Sequence, residues 1–325
     1  MADQPPPRAW LSARFDAAST ATLDSLVALE YERATADLPP HVRAASALRR
    51  FDGRLVIVQD DVDALAVREA NDAVRPVLLP ARLGGQRVFD KDRGNKRLKL
   101  DLEACMTMAD GRLVAFGSGA KPVRERLVVW RSGAAPVTME ATAFYREVRT
   151  AVTRNELRLN IEGVVIRGPR VLLFHRGNDK KLGASLPPNT IAELELDPFV
   201  RWLDGAAPAP RVTKLTDVDL GAVGDVPFGF TDAVALDDER IVVLACAEDS
   251  SSALTDGAVL GARVGLLDEQ GLRLVDIQEG DGAGTRLKLE GIERRPGTDY
   301  EFDVVVDVDS PVVPAQLGRL VWDWR

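Results

Sequence analysis

The sequence predicts an all-β fold, a five-bladed β-propeller, on three observations. A block of similar residues recurs five times: "SALRRFDGRLVIVQDD" from Ser46, "EACMTMADGRLVAFGSG" from Glu103, "EGVVIRGPRVLLFHRGN" from Glu162, "DAVALDDERIVVLACAED" from Asp232 and "EGIERRPGTDYEFDVVVDVD" from Glu290. The blocks begin 57, 59, 70 and 58 residues apart, about the length of a four-stranded sheet with its turns. Finally, the fifth block stops at its third strand, "LGRLVWDWR", while a spare strand, "AWLSARFDA", precedes the first block. A small sheet cannot bury both faces alone, but sheets stacked around an axis bury one another. The N-terminal strand is therefore expected to complete the last blade and close the ring. Six blades would follow if residues 8–45 formed more structure than that one strand. Residues 1–325 read as a single propeller domain, with 1–7 as a disordered tail.

Taken in order, each block opens with a polar residue, acidic in four of five, followed by Ala or Gly and then a turn. A β-branched or Leu-rich second strand comes next. Third strands follow as "DALAVRE", "RERLVVWR", "NTIAELEL" and "GARVGLLD", and fourth strands as "RPVLLP", "APVTMEA" and "PRVTKLT". Two helices interrupt the strands. One is expected at 141–152, where Phe144, Tyr145, Val148 and Val152 share a face, and one at 198–203, where Asp197 precedes Pro198 as a helix-start signal.

Composition narrows the function. Fifty acidic residues against 42 basic ones give a net charge of −8, which argues against nucleic-acid or anionic-membrane partners, since both need a basic face. No apolar run approaches the roughly 20 residues a membrane-spanning helix needs, and "MADQPPPRAW" lacks a signal-peptide pattern. The expectation is a cytoplasmic protein. Cys105 and Cys246 sit in apolar strand-like runs without CxxC spacing, so they read as buried structural thiols. The basic run "RVFDKDRGNKRLK" (87–99) reads as a solvated loop between blades.

If first strands line the axis, their opening acids converge there. Glu103, Glu162, Asp232 and Glu290, with Ser46, would form a ring, and the following Ala or Gly would let neighbouring first strands crowd together. Carboxylates that close must be met by a cation, by Lys or Arg, or by protonation. The first option is a divalent cation such as Ca²⁺ held by Glu103, Glu162, Asp232 and Glu290. Its rival is an ion-pair network, since Lys99, Arg158 and Arg286 each stand four residues before an anchor acid.

The ends of the second strands form another polar ring, comprising Asp60 and Asp61, Gly117–Gly119, Arg176–Asn178, Glu248 with Asp249, and Asp307 with Asp309. "GSGAKPVRER" is its most anion-friendly member, offering Ser118, Lys121 and Arg124. Of the two histidines, His41 lies in a Pro-flanked loop, so His175 is the one placed to act as a base. No GxSxG elbow or Walker loop occurs, and "GDGAGTR" (280–286) leads into a strand and reads as a turn.

Through "LNIEG", "GSGAKPVRER", "HRGN", "GFTD", "AEDSSSALTDGAV" and "DVDSPVVP", the chain resembles uncharacterised bacterial β-propeller proteins related in style to the phytase-like and SdiA-regulated-like propellers. The resemblance spans Ser46 to Gln316. It implies calcium and a phosphoester- or esterase-like activity, with Asp307 and Asp309 matching an acid-rich Asp-Pro motif. Ser310 departs from that motif by standing where an acid precedes the proline.

Two functional expectations follow. In one, the mouth binds a small polar or anionic molecule and a metal-dependent hydrolase acts on a phosphoester, lactone or ester. There Glu162, His175 and Arg176 are the catalytic candidates, and Ser118, Lys121, Arg124, Asn178, Glu248, Asp249 and Asp309 the ligand-binding ones. In the other, the axial acids are structural and the loops dock a protein partner.

Overall fold

The computed structural model describes residues 4–33, 35, 37–153, 158–177, 187–249 and 257–323. The N-terminal segment contributes β1 (Arg8–Ser12), β2 (Arg14–Phe15) and β3 (Ala21–Ala28). A meander follows as β4 (Ala45–Phe51), β5 (Arg54–Gln59), β6 (Ala64–Arg68) and β7 (Val74–Leu78), and a second as β8 (Leu102–Thr107), β9 (Arg112–Gly117), β10 (Arg126–Arg131) and β11 (Val137–Glu140). Helix α1 (Thr142–Thr153) leads to β12 (Ile161–Arg167), β13 (Arg170–His175) and β14 (Asn189–Glu195), and helix α2 (Leu196–Leu203) to β15 (Val212–Asp219). The last strands are β16 (Ala222–Val223), β17 (Val226–Ala235), β18 (Ile241–Asp249), β19 (Ala258–Asp268), β20 (Gly271–Glu279), β21 (Lys288–Arg294), β22 (Glu301–Asp307) and β23 (Gln316–Trp322).

Local chemistry sets the hairpins. Between β4 and β5 the turn is Asp52-Gly53, with φ of 53° and 73°, the paired positive angles that let a two-residue turn follow strand twist. The strands it joins are apolar on both faces, since Leu48, Leu55, Val56, Ile57 and Val58 are all buried. That pattern belongs to sheets covered on both sides. Both helices form where expected. On α1 the Phe144, Tyr145, Val148 and Val152 face is buried, and Phe144 stacks on Trp202 of α2 with ring centroids 5.0 Å apart.

The sheets surround a common axis. Strand β4 lies against β8, β8 against β12, β12 against β17, β17 against β21, and β21 back against β4. The result is an all-β, propeller-like molecule whose described residues form four hydrogen-bonded sheets: the two meanders, a sheet ordered β1-β15-β14-β13-β12, and a ten-stranded sheet. That last sheet is continuous because β20 pairs in parallel with β3 through Ile277–Glu279 and Ala21–Leu23, while β3 also pairs antiparallel with β23.

The N-terminus departs from expectation in one respect. The segment "AWLSARFDA" forms β1 and β2, which add parallel edges to β15 and β20. The strand that completes the β21–β23 group is the next one, β3. Trp10 and Phe15 remain exposed, whereas Ala21 and Leu23 of β3 are buried, so the apolar face that fits the last sheet lies further along the chain.

A charged hub at the mouth of the axis

Each inner strand carries one bulge, and the residue left out of register is Ser46, Glu103, Glu162, Thr231 or Glu290. A bulge re-aims its side chain and bends the strand, so an acid at that position leaves the alternating faces of its sheet. The residue after the bulge sits where inner strands meet. A Cβ on Gly163 would lie 3.1 Å from the Ala233 backbone nitrogen, and one on Gly291 would lie 2.9 Å from the Ala47 Cα. At Gly163 and Gly291 the small residue after the anchor is thus a packing requirement.

This register corrects one member of the expected ring. In the β17 strand the bulge falls on Thr231, and Asp232 occupies the position held by Ala or Gly elsewhere. The Asp232 carboxylate therefore turns to a different partner, taking both Arg49 Nη atoms at 2.9 Å and the Ile292 and Ala233 backbone N–H groups at 2.9 and 2.8 Å. Arg49 in turn donates to the carbonyls of Leu48, Ile292, Val164 and Ala233. One buried guanidinium so ties β4, β12, β17 and β21 together.

The other three acids share an enclosure. Burial, then Asp101, Asp60 and Glu162, push the Glu103 carboxyl well above the usual range. Burial raises Glu162 to about 7, against the pull of Arg176 and Lys288. Glu290 reaches about 8 because burial and Glu162 outweigh Lys288 and Arg176. Burial first, and neighbouring acids after it, thus favour the protonated form of these carboxyls.

Second-strand ends and neighbouring loops supply their partners. Lys99 Nζ bonds Asp60 and lies 2.6 Å from Asp101. Arg124 reaches Asp101 at 2.5 Å, and the Ser118 hydroxyl also donates to it. Burial alone would raise Asp101, but Lys99, Arg124 and Ser118 hold it below the usual range. Arg176 bonds Glu248 at 3.0 Å and lies 3.8 Å from Glu162, which also accepts from Asn160 at 2.6 Å. Lys288 is shared by Glu290, Asp307 and Asp309 at 3.3, 3.5 and 3.1 Å. Arg43 joins Asp61 at 2.6 Å and Asp90 at 3.2 Å.

Beside this lattice is a recess of about 300 Å³, lined by Arg43, Asp60, Asp61, Lys99, Lys288, Asp307 and Asp309 among others. The basic segment 87–99 forms one wall. It is anchored rather than merely solvated: the Asn95 side chain accepts from Asp90 N–H at 3.0 Å and donates to the Val88 carbonyl at 2.9 Å, and Asp90, Asn95 and Lys99 are buried. Burial and Asp60 lift Asp61, which also lines the recess, to about 7.

Of the expected site residues, Glu103, Glu162, Glu290, Ser118, Lys121, Arg124, Arg176, Glu248 and Asp309 belong to this hub. Asp249 is exposed at the end of β18. Asn178 lies outside the described residues. His175 is buried, and its Nδ1 accepts from the Asn160 backbone N–H at 3.1 Å, so this ring nitrogen is tied to the strand entry. Ser118 turns to Asp101. Arg43, Asp101 and Lys288 were not singled out from the sequence. Lys288 had a signal, since it stands two residues before Glu290, as Asp101 stands two before Glu103 and Asn160 two before Glu162.

Ion pairing also bears on how a metal would fit. Glu290 has Lys288, Glu162 has Asn160 and Arg176, and Asp232 has Arg49. Ligand oxygens of Asp60, Asp101 and Glu103 do lie within 4.8 Å of one another, yet Lys99 already bonds two of the three. A cation there would have to displace that amine.

Fold and hub together define a propeller-like protein with a polar, charge-dense mouth. The chain belongs to the Family of unknown function (DUF6929), whose model matches residues 41–321. No curated protein matches it. Among solved structures it is similar to a glutaminyl cyclase from Myxococcus xanthus at 13% identity, over 98% of this chain and 99% of that one, with a TM-score of 0.47. It is similar to an exo-1,5-α-L-arabinanase from a bovine ruminal metagenomic library at 9% identity, over 88% and 97%, with a TM-score of 0.48. A virginiamycin B lyase from Staphylococcus aureus matches at 9% identity, over 93% and 99%, with a TM-score of 0.43.

Proposed function

We propose that the chain is a five-bladed propeller whose mouth binds a small polar ligand. The blade count is supported by the cyclic order of β4, β8, β12, β17 and β21, and by the division of the ten-stranded sheet at the parallel β20–β3 contact into two groups with one inner strand each. The ligand reading is carried by one observation: the mouth is a recess of about 300 Å³ walled by interleaved acids and bases, where a protein-docking platform would present a flatter apolar face. That volume is at the small end of ligand pockets. Arg43, Lys99 and Lys288 would orient acceptor groups of the ligand, and Asp61 and Asp309 its donors.

A second reading, a cation-assisted hydrolase of an ester or phosphoester, is favoured by the approach of Asp60, Asp101 and Glu103. Calcium suits such an oxygen set, but Lys99 competes for it.

The test is calorimetric titration of the full chain with a panel of small charged and polyhydroxylated compounds. Binding of at least one compound, weakened about tenfold or more in Arg43→Met, is the expected result. No binder across the panel, together with a stoichiometric protein partner recovered in pull-downs, would favour the docking platform. The hydrolase reading requires divalent metal retained by mass spectrometry and turnover lost in Glu162→Gln.

A further inference from the structure

What the recess shows to a ligand follows from which of its charges stand in front. Three bases that line it are already shared between carboxylates: Arg43 between Asp61 and Asp90, Lys99 between Asp60 and Asp101, and Lys288 among Glu290, Asp307 and Asp309. The acids that face the recess are the more exposed members of these pairs. Asp60 keeps 21% of its side-chain surface against 7% for Lys99, and Asp309 keeps 32% against 14% for Lys288. Arg43 and Asp61 follow the same order. Carboxylate oxygens therefore form the accessible surface, and the cations that balance them sit deeper.

Three kinds of head group can be weighed against such a surface. An anion would meet the carboxylates first and find these bases engaged. A cation would meet carboxylates whose charge is already offset by an amine or guanidinium within 3.5 Å, so the attraction left over is too small to offset the cost of desolvating the ion. A hydroxyl brings no charge. It donates a charge-assisted hydrogen bond to a carboxylate and accepts from an amine or guanidinium with its own lone pairs. Each carboxylate can accept several bonds, so an ion pair leaves capacity for a hydroxyl. The lining is also close to balance, with six acids and five bases among its described residues, and so supplies no large field of one sign to draw in an ion.

We propose that the recess takes an uncharged polyol, a monosaccharide or cyclitol, whose hydroxyls donate to the carboxylates of Asp60 and Asp309. The inference rests on the ligand reading above and narrows it from small polar molecules to one class. A volume of about 300 Å³ suits a single sugar-sized ring and not a chain of them.

The experiment is saturation-transfer NMR and calorimetric titration of the full-length protein with glucose, galactose, mannose and myo-inositol, each beside its monophosphate and its amino derivative. At least one uncharged member should bind, with an affinity that stays level between about 50 and 500 mM salt, and its two charged counterparts should bind about tenfold more weakly or worse. Asp309→Asn, folded by circular dichroism, should weaken the uncharged ligand about tenfold, and Glu269→Gln, exposed on the turn between β19 and β20, should leave it unchanged. A phosphate or amine form that binds more tightly than its uncharged parent, with an affinity that falls as salt rises, overturns the inference and leaves the ligand reading standing. The same holds if every sugar and cyclitol is inert while another small compound binds with a loss in Arg43→Met. Inertness towards every small compound would sink both readings together. The salt and charge comparisons use the unaltered protein, so they decide the matter even if Asp309→Asn fails to fold.

Discussion

Arg49 shows how much of the hub rests on single side chains. It is buried at the centre of the inner strands and neutralises Asp232, which is itself wholly buried. Removing one partner of such a pair leaves an uncompensated charge, which costs about 3–5 kcal/mol. Arg49→Ala is therefore expected to lower stability by that amount in urea unfolding, and Arg49→Met combined with Asp232→Asn by distinctly less. The pair was hard to see in the sequence. Acid-then-small alignment placed Asp232 in the axial ring, whereas the bulge makes Thr231 the equivalent residue, and a one-residue slip sends a side chain to another face. Glu103, Glu162 and Glu290 were legible because an acid followed by Ala or Gly marks a real junction of inner strands. Arg43 was not, since nothing in a lone charge before a strand says that it turns to the axis, and Asp101 was legible only through its place two residues before Glu103.

At the scale of the strand, the post-bulge glycines set how closely inner strands approach. Gly291→Ala would drive a Cβ against both Leu48 and the Ala47 backbone at 2.7 and 2.9 Å, whereas Gly163→Ala meets backbone at 3.1 Å and beyond. Overpacking of this kind costs about 1–3 kcal/mol, so thermal unfolding should show Gly291→Ala as the more damaging of the two. The strands and both helices could be read from periodicity and turn residues, since the hydrophobic runs and the Asp-Gly and Gly-Pro turns are local signals. Edge pairing was less legible. Strands β1, β2 and β3 all precede the first block, and only contact with β15, β20 and β23 decides which of them completes a sheet.

Over the whole molecule, acids outnumber bases at the hub as they do in the chain, and the excess is met by protonation as well as by pairing. Glu162 and Glu290, lifted to about 7 and about 8, hold protons in the folded state that the unfolded chain releases near pH 4.5. Where the folded state binds more protons, stability falls as pH rises, by about 1.4 kcal/mol per unit for each proton held. This contribution is complete below pH 4.5 and is lost as pH rises through about 8. The melting temperature should accordingly decline between about pH 4.5 and 8, with a shallower decline in Glu290→Gln. Direct observation of those protons is the sharpest test of the converging hub. In carboxyl-carbon NMR of protein labelled at glutamate, Glu162 and Glu290 are expected to remain protonated at pH 6 and to titrate near 7 and 8, with Glu103 also shifted upward from an exposed glutamate. Titration of all three near pH 4 to 4.5, as for exposed glutamates, would contradict the account by showing that these carboxyls do not share an enclosure.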